Sequence, residues 1–188
     1  MYDVKPVTTE HHTACGAACM KMLLDYYGID SDLQSLIEEL HIGVAGCTGK
    51  DIIRVGNAHG LDVKTWKMDA EGALAVDRPC ILWWRRQHFV VFCGLNAKGE
   101  PVICNPSSGR FPISVEAFGR LFSGIAFSNG ECGDFVPLAE KNYAKGECFT
   151  RYGELCKAIA PIAKGAMLTL NTNYIITSVE RELAALNQ

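Results

Sequence analysis

The stretch Thr13-Ala-Cys-Gly-Ala-Ala-Cys-Met-Lys-Met-Leu-Leu-Asp-Tyr-Tyr-Gly28 restricts the fold more than any other part of the chain. Cys19, Met22, Leu23 and Tyr26 recur at i, i+3, i+4 and i+7, one apolar stripe of a helix, and Gly28 stands where a left-handed cap ends the last turn. So apolar a helix must be buried, and a core is expected around it. Cys15 falls in the first turn. There, unpaired backbone N–H groups and the positive end of the helix dipole lower a thiol's pKa, and the same N–H groups can donate to an anion forming beside the sulfur.

Such a thiol still needs a base, and the rest of the chain limits where one can come from. With 188 residues, 48% of them hydrophobic, the chain is long enough for one core, or one domain with an appendage. A net charge of −3 and no Lys/Arg run longer than Arg85-Arg86 give no reason to expect nucleic acid. Nine cysteines, an odd number at irregular spacing, sit partly inside apolar runs (Cys80, Cys93, Cys104). That usage, with no apolar N-terminal segment, predicts free thiols in a reducing cytosol and no disulfide framework.

Three helix signals come first. After the Cys15 helix, Ser31 and Gln34 form a capping-box pattern ahead of Leu33, Leu36, Ile37 and Leu40, and Thr48 to His59 is a third candidate stopped by Gly60. The pattern then turns to strands: Leu61 to Met68, a short helix from Asp69 to Val76, apolar runs at Cys80–Trp84 and His88–Leu95, a turn at Asn96–Gly99, and Pro101–Cys104. A helix from Ser114 to Phe122 and a strand from Gly124 to Ser128 complete an α+β unit over residues 1–128, with N-terminal helices packed on an antiparallel sheet. Gly, Glu, Lys and Pro accumulate over 129–148, which reads as a linker. Residues 149–188 read as a helical tail: Ile159, Ile162, Ala163 and Ala166 lie near one face, while Lys157, Lys164, Asn171 and Asn173 interrupt the roughly 20 apolar residues a membrane span needs.

Of five histidines, His88 opens an apolar strand directly after the polar turn Arg85-Arg86-Gln87, so its imidazole is expected at a sheet end, where a cleft can form. Cys15 and His88 make the natural pair: the imidazole takes the thiol proton and the thiolate attacks a carbonyl. Asn105, at the end of the next strand and followed by Pro106, is placed to accept the other ring N–H and so orient the base.

These segments resemble the C39 family of papain-like cysteine peptidases, the N-terminal domains of bacterial exporters that cut double-glycine leaders. The resemblance rests on Cys15 to Gly28, His-Phe-Val-Val from His88 to Val91, and Asn105-Pro106, in the family's order and spacing, with Asp32–Leu40 and Asp77–His88 matching between them; it covers about residues 7 to 128. It implies a papain-like fold, a cysteine endopeptidase without cofactor, a double-glycine leader peptide as substrate, and an ABC transporter's membrane and ATPase parts as partner. The implied location is cytoplasmic, at the inner face of the plasma membrane, with the tail as a membrane-proximal segment. The family usually carries glutamine six residues before the cysteine as an oxyanion donor; this chain has Thr9 there, with His11 and His12 as other candidates. Losing one such donor costs about 100- to 1000-fold in turnover, so slower catalysis is expected, the Cys15 backbone N–H being the remaining donor. Asn105 replaces the family's common aspartate, as in other papain-like enzymes.

Blander readings stand beside these. Cys19 is expected to fill core, His11 and His12 to lie on the surface, and His41 and His59 to be solvated at helix ends. His11-His12-x-x-Cys15-x-x-x-Cys19 is half of a paired-ligand pattern, so no metal is expected. Alternation puts one of Trp83 and Trp84 in the core and the other, assigned to Trp84, with Gln87 along the cleft as substrate contacts. The competing functions are a C39-like module that holds the export substrate without cutting it, and a transferase passing the acyl group to an amine.

Overall fold

The computed structural model describes residues 1–43, 46–85 and 87–132, the side chain of His12 apart, and the backbone of Val136–Pro137. Except for residues 129–132 and 136–137, the linker expected over 129–148 lies outside the described residues, as does the whole tail expected over 149–188.

A single 3-10 turn, His12–Ala14, leads into α1, Cys15–Tyr26. Nine of its twelve residues are buried, so the helix is enclosed nearly all round and not along one stripe; Tyr26, expected on the buried stripe, is 37% exposed at the far end. α2 is Leu33–Glu39, and its N-cap is Asp32, whose carboxylate accepts from the Ser35 N–H and Oγ. The box expected from Ser31 and Gln34 is therefore shifted by one residue, because a carboxylate at the helix start also meets the helix dipole. α3, Gly49–Ala58, opens on a reciprocal box between Thr48 and Asp51.

The sheet is built from β1 Val63–Lys67, β2 Cys80–Trp84, β3 His88–Leu95, β4 Pro101–Asn105, β5 Gly109–Pro112, β6 Phe122–Asn129 and a short β7, Val136–Pro137. All pairings are antiparallel, in the order β5-β4-β3-β2-β6-β1-β7. Two short helices interrupt it, α4 (Ala70–Leu74) and α5 (Val115–Leu121), each opened by a side-chain cap from Asp69 or Ser114. β5 has no signal in the sequence: it is four residues long and ends on Pro112, which a sheet edge tolerates because no further strand needs its missing N–H.

Strand alternation divides the core. On one face Phe89 meets Trp83 at a tilt and Phe127 edge to face, and it packs against the first turn of α1. On the other, Leu82, Trp84, Val90, Phe92, Ile103 and Ala126 pack with Ala73 of α4 and Phe118 of α5. Burying each large side chain contributes roughly 1.5–3 kcal/mol, and the central strands β2 and β3 are buried along nearly their whole length. β3 carries His88 at its first position, and α1 carries Cys15 at its first position. Among the described residues, no helix is long and apolar enough to cross a membrane.

Candidate active site

The start of α1 meets the start of β3. The Cys15 thiol, 8% exposed, receives the backbone N–H of Phe89, the residue after His88, together with the N–H groups of Gly16 and of Cys15 itself. Burial nevertheless pushes the thiol above its ordinary pKa, with those three amides opposing the shift. This corrects the expectation of a lowered pKa from the helix start alone: desolvation outweighs the backbone amides. A thiol so shifted needs a base to hand its proton to.

His88 lies at the β2–β3 turn, paired across the ladder with Trp84. Its Nε2 is 2.9 Å from Asn105 Oδ1. That oxygen also accepts the Ser107 backbone N–H at 2.9 Å. A backbone amide can only donate, so the atom facing both groups is the carbonyl oxygen of Asn105, and the hydrogen on the His88 side sits on Nε2. Neutral His88 is then the Nε2–H tautomer, and its basic lone pair is on Nδ1. Asn105 ends β4; Ser108 N–H returns to its carbonyl at 3.1 Å, and Gly109, in left-handed conformation, starts β5.

Thr9 is fastened to the same corner. Its N–H donates to the Pro106 carbonyl at 2.9 Å, and its hydroxyl oxygen accepts the His11 N–H at 3.1 Å. The residue six before Cys15 is thus tied beside Asn105-Pro106, with its hydroxyl hydrogen still available to donate. Gln87 is half-buried, with φ +56, and donates its N–H to the Trp84 carbonyl to close the turn before His88. A left-handed non-glycine residue is a strained choice, and it fixes where β3 begins. Trp83 and Trp84 are both only 7% exposed, on opposite faces of the sheet. The Trp84 ring lies 6.4 Å from the His88 ring, and its Nε1 is buried with no hydrogen-bond partner among the described residues.

Two residues that sequence reasoning passed over complete the corner. A Cβ on Gly16 would fall 2.2 Å from Cys47 Sγ, so the glycine after Cys15 makes room for the thiol of the loop before α3. Burial raises Cys47 far above the ordinary thiol pKa, as it does Cys19, and both are held protonated. The Cys-Gly dipeptide was the visible signal, but its partner is 31 positions further along the chain. Of the remaining histidines, His11 and His41 are exposed, whereas His59, expected to be solvated, bonds Glu39 Oε2 at 2.7 Å through Nε2. Among the described residues, no group of three or more His, Cys, Asp or Glu side chains is placed to hold a metal.

Residues 3–129 match the model of the Peptidase C39 family. Over 122 residues, 64% of this chain, it is 30% identical to the probable microcin-H47 secretion/processing ATP-binding protein MchF of Escherichia coli, and equally to the colicin V secretion/processing ATP-binding protein CvaB of the same organism. In each case the match spans 17% of the relative's length. Among solved structures, a double glycine motif protease from an AMS/PCAT transporter, in complex with its leader peptide, superposes with a TM-score of 0.64 at 27% identity, covering 72% of this chain and 93% of that one. The peptidase domain of Streptococcus ComA shares the fold, with a TM-score of 0.62 at 22% identity, covering 66% of this chain and 96% of that one. Carrying its cysteine, histidine and asparagine on a helix start and two neighbouring strands of an antiparallel sheet, the chain belongs to the Peptidase C39 family.

Proposed function

We propose that this chain is a cysteine endopeptidase that cuts exported peptides behind a double-glycine leader, working with the membrane and ATPase parts of an ABC exporter at the cytoplasmic face of the membrane. The observation that carries the reading is the His88–Asn105 bond, next in the chain to the Phe89 amide that meets Cys15: it puts a ring hydrogen on Nε2 and leaves Nδ1 for the thiol, whose pKa burial raises. Family membership supports the reaction type, and the leader complex of the structural neighbour supports the substrate class.

In this reading Cys15 is the nucleophile. His88 Nδ1 takes its proton, and the new thiolate is met by the Phe89 and Gly16 amides. The sulfur attacks the scissile carbonyl, the Cys15 N–H and the Thr9 hydroxyl donate to the oxyanion, and imidazolium returns the proton to the leaving amine. Water then releases the acyl group with His88 again as base. Asn105 holds the ring throughout, and Gln87 and Trp84 border the substrate. Residues 1–128 form the peptidase domain, 129–148 the linker and 149–188 the membrane-proximal tail. An intact Cys15, His88 and Asn105 supports cutting over mere holding of the substrate.

A synthetic peptide carrying a double-glycine leader, analysed by mass spectrometry, tests this. The expected result is one cut after the second glycine, abolished in Cys15→Ala with circular dichroism unchanged. Equal cleavage by Cys15→Ala, or no cleavage by the native chain, overturns it.

A further inference from the structure

Seven cysteines among the described residues are free, and one pair among them lies in contact. Cys93 Sγ and Cys104 Sγ are 3.4 Å apart, both fully buried, on the neighbouring strands β3 and β4. The register explains the approach. Val91 faces Cys104 and Phe92 faces Ile103, but Leu95 faces Pro101, so Cys93 and Gly94 stand opposite the single residue Val102. This is a bulge, and bulges sharpen the local twist, which here carries Cys93 diagonally toward Cys104. Gly94, at φ +84, makes the bulge possible; a Cβ there would sit 3.0 Å from the Met1 Cα.

The N-terminal segment covers the pair. Tyr2 N–H donates to the Cys93 carbonyl at 2.7 Å, and the Arg110 guanidinium holds the carbonyls of Val4 and Tyr2 at 2.8 and 2.9 Å. Cys104 Sγ also reaches the Val4 carbonyl, at 3.7 Å. The two sulfurs differ chemically. The Cys93 thiol donates to Cys104, and with Arg110 nearby this lowers the Cys104 pKa, while Cys93 is pushed up by the same bond and by burial. The bond from Cys93 favours Cys104 as the attacking sulfur, with Cys93 as the one that resolves.

We propose that Cys93 and Cys104 are a redox site of this protein, closing to a disulfide with hydrogen peroxide and thereby changing the setting of His88 and Asn105. The Cys104 thiolate attacks one peroxide oxygen and expels hydroxide, which takes a proton to become water, leaving a sulfenic acid. The Cys93 sulfur then displaces the hydroxyl as a second water. Two thiols lose two electrons and two protons, and one peroxide is reduced to two waters. Closing 3.4 Å to the ~2.05 Å of an S–S bond draws β3 and β4 together one residue before Asn105, on the two strands whose side chains make the His88–Asn105 bond.

The test uses the full chain as Cys15→Ala, so that oxidation of Cys15 does not intrude and the outcome is independent of whether the chain cuts a leader. Trypsin cleaves after Arg86, Lys98 and Arg110, placing Cys93 and Cys104 on adjacent separate peptides, 87–98 and 99–110. After peroxide treatment, trapping of remaining thiols and digestion, these peptides are expected joined, lighter by two hydrogens than their sum, and separable by a phosphine reductant. The His88 imidazole resonances, followed by NMR, are expected to shift as the linked peptide appears and to return on reduction. Adding Cys93→Ala or Cys104→Ala is expected to remove both changes. Two separately trapped peptides after oxidation overturn the disulfide; linked peptides with an unmoved His88 spectrum overturn its coupling to the site.

Discussion

Cys15 gains three backbone donors from its place in the fold, yet burial leaves its pKa raised, so in the proposed mechanism its reactivity depends on His88 taking the proton. Each unit of that rise removes about tenfold of the thiolate at a given pH below it, because the protonated form dominates there. Hence in His88→Ala the iodoacetamide labelling of Cys15 at neutral pH is expected to fall below that of free cysteine and to climb only above the ordinary thiol range. The native chain is expected to label at lower pH than His88→Ala, since His88 takes the thiol proton as the sulfur attacks. Rate profiles from pH 5 to 10 check this, and identical profiles would remove His88 from its role. Removing a positioned acid-base group costs about 100- to 10,000-fold in turnover, the loss expected for His88→Ala on a leader peptide. The sequence placed Cys15 at a helix start, His88 at a strand start and Asn105 at a strand end, because residue type, order and strand position were enough for that. It could not show the sign of the Cys15 pKa shift, which is decided by how many atoms from distant segments exclude water.

At the scale of elements, α1 is held at its first turn by the loop that carries Cys47. Gly16→Ala adds a methyl 2.2 Å from Cys47 Sγ, and overpacking of this kind costs about 1–3 kcal/mol. A lower urea midpoint is expected, with most of the loss recovered in Gly16→Ala/Cys47→Ala, where the sulfur has been removed. A double-mutant cycle by urea denaturation measures it, and additive losses would mean that the contact does not matter. The helices were legible from period and caps, as Thr48 with Asp51 illustrates; α2 moved by one residue because serine and aspartate stand side by side and either can cap. The strands β2, β3 and β4 were legible as apolar runs. β5 was not, since Gly109–Pro112 is only half-buried and is a strand because β4 lies beside it.

For the molecule as a whole, the buried thiols set a pH limit. Cys15, Cys19, Cys47, Cys80 and Cys132 all have raised pKa values, with burial the largest cause in each. In the unfolded chain they titrate near the ordinary value of about 8.5, whereas the folded chain keeps its protons to higher pH. Their contribution to stability is therefore fully present below about pH 8.5 and is lost as pH rises from there through the folded values. Tyr2 and Tyr27, also raised by burial, add the same sign at higher pH. The urea midpoint is expected to fall steadily from pH 8 to 10.5, and to fall less in Cys80→Ala than in the native chain; a flat midpoint would contradict the burial of these groups.

Residue type and local period, acting over a few positions, determined by themselves that a cysteine opens a buried helix, that a histidine opens an apolar strand, and that an asparagine closes the next one. Those are local matters of propensity and patterning. Tertiary structure decided which groups compete at each atom: Ser107 fixing the Asn105 oxygen toward His88, Cys47 requiring glycine after Cys15, and a bulge at Cys93-Gly94 bringing two thiols to 3.4 Å. Such outcomes depend on angstrom-scale packing between segments far apart in the chain, and no pattern within a segment encodes them.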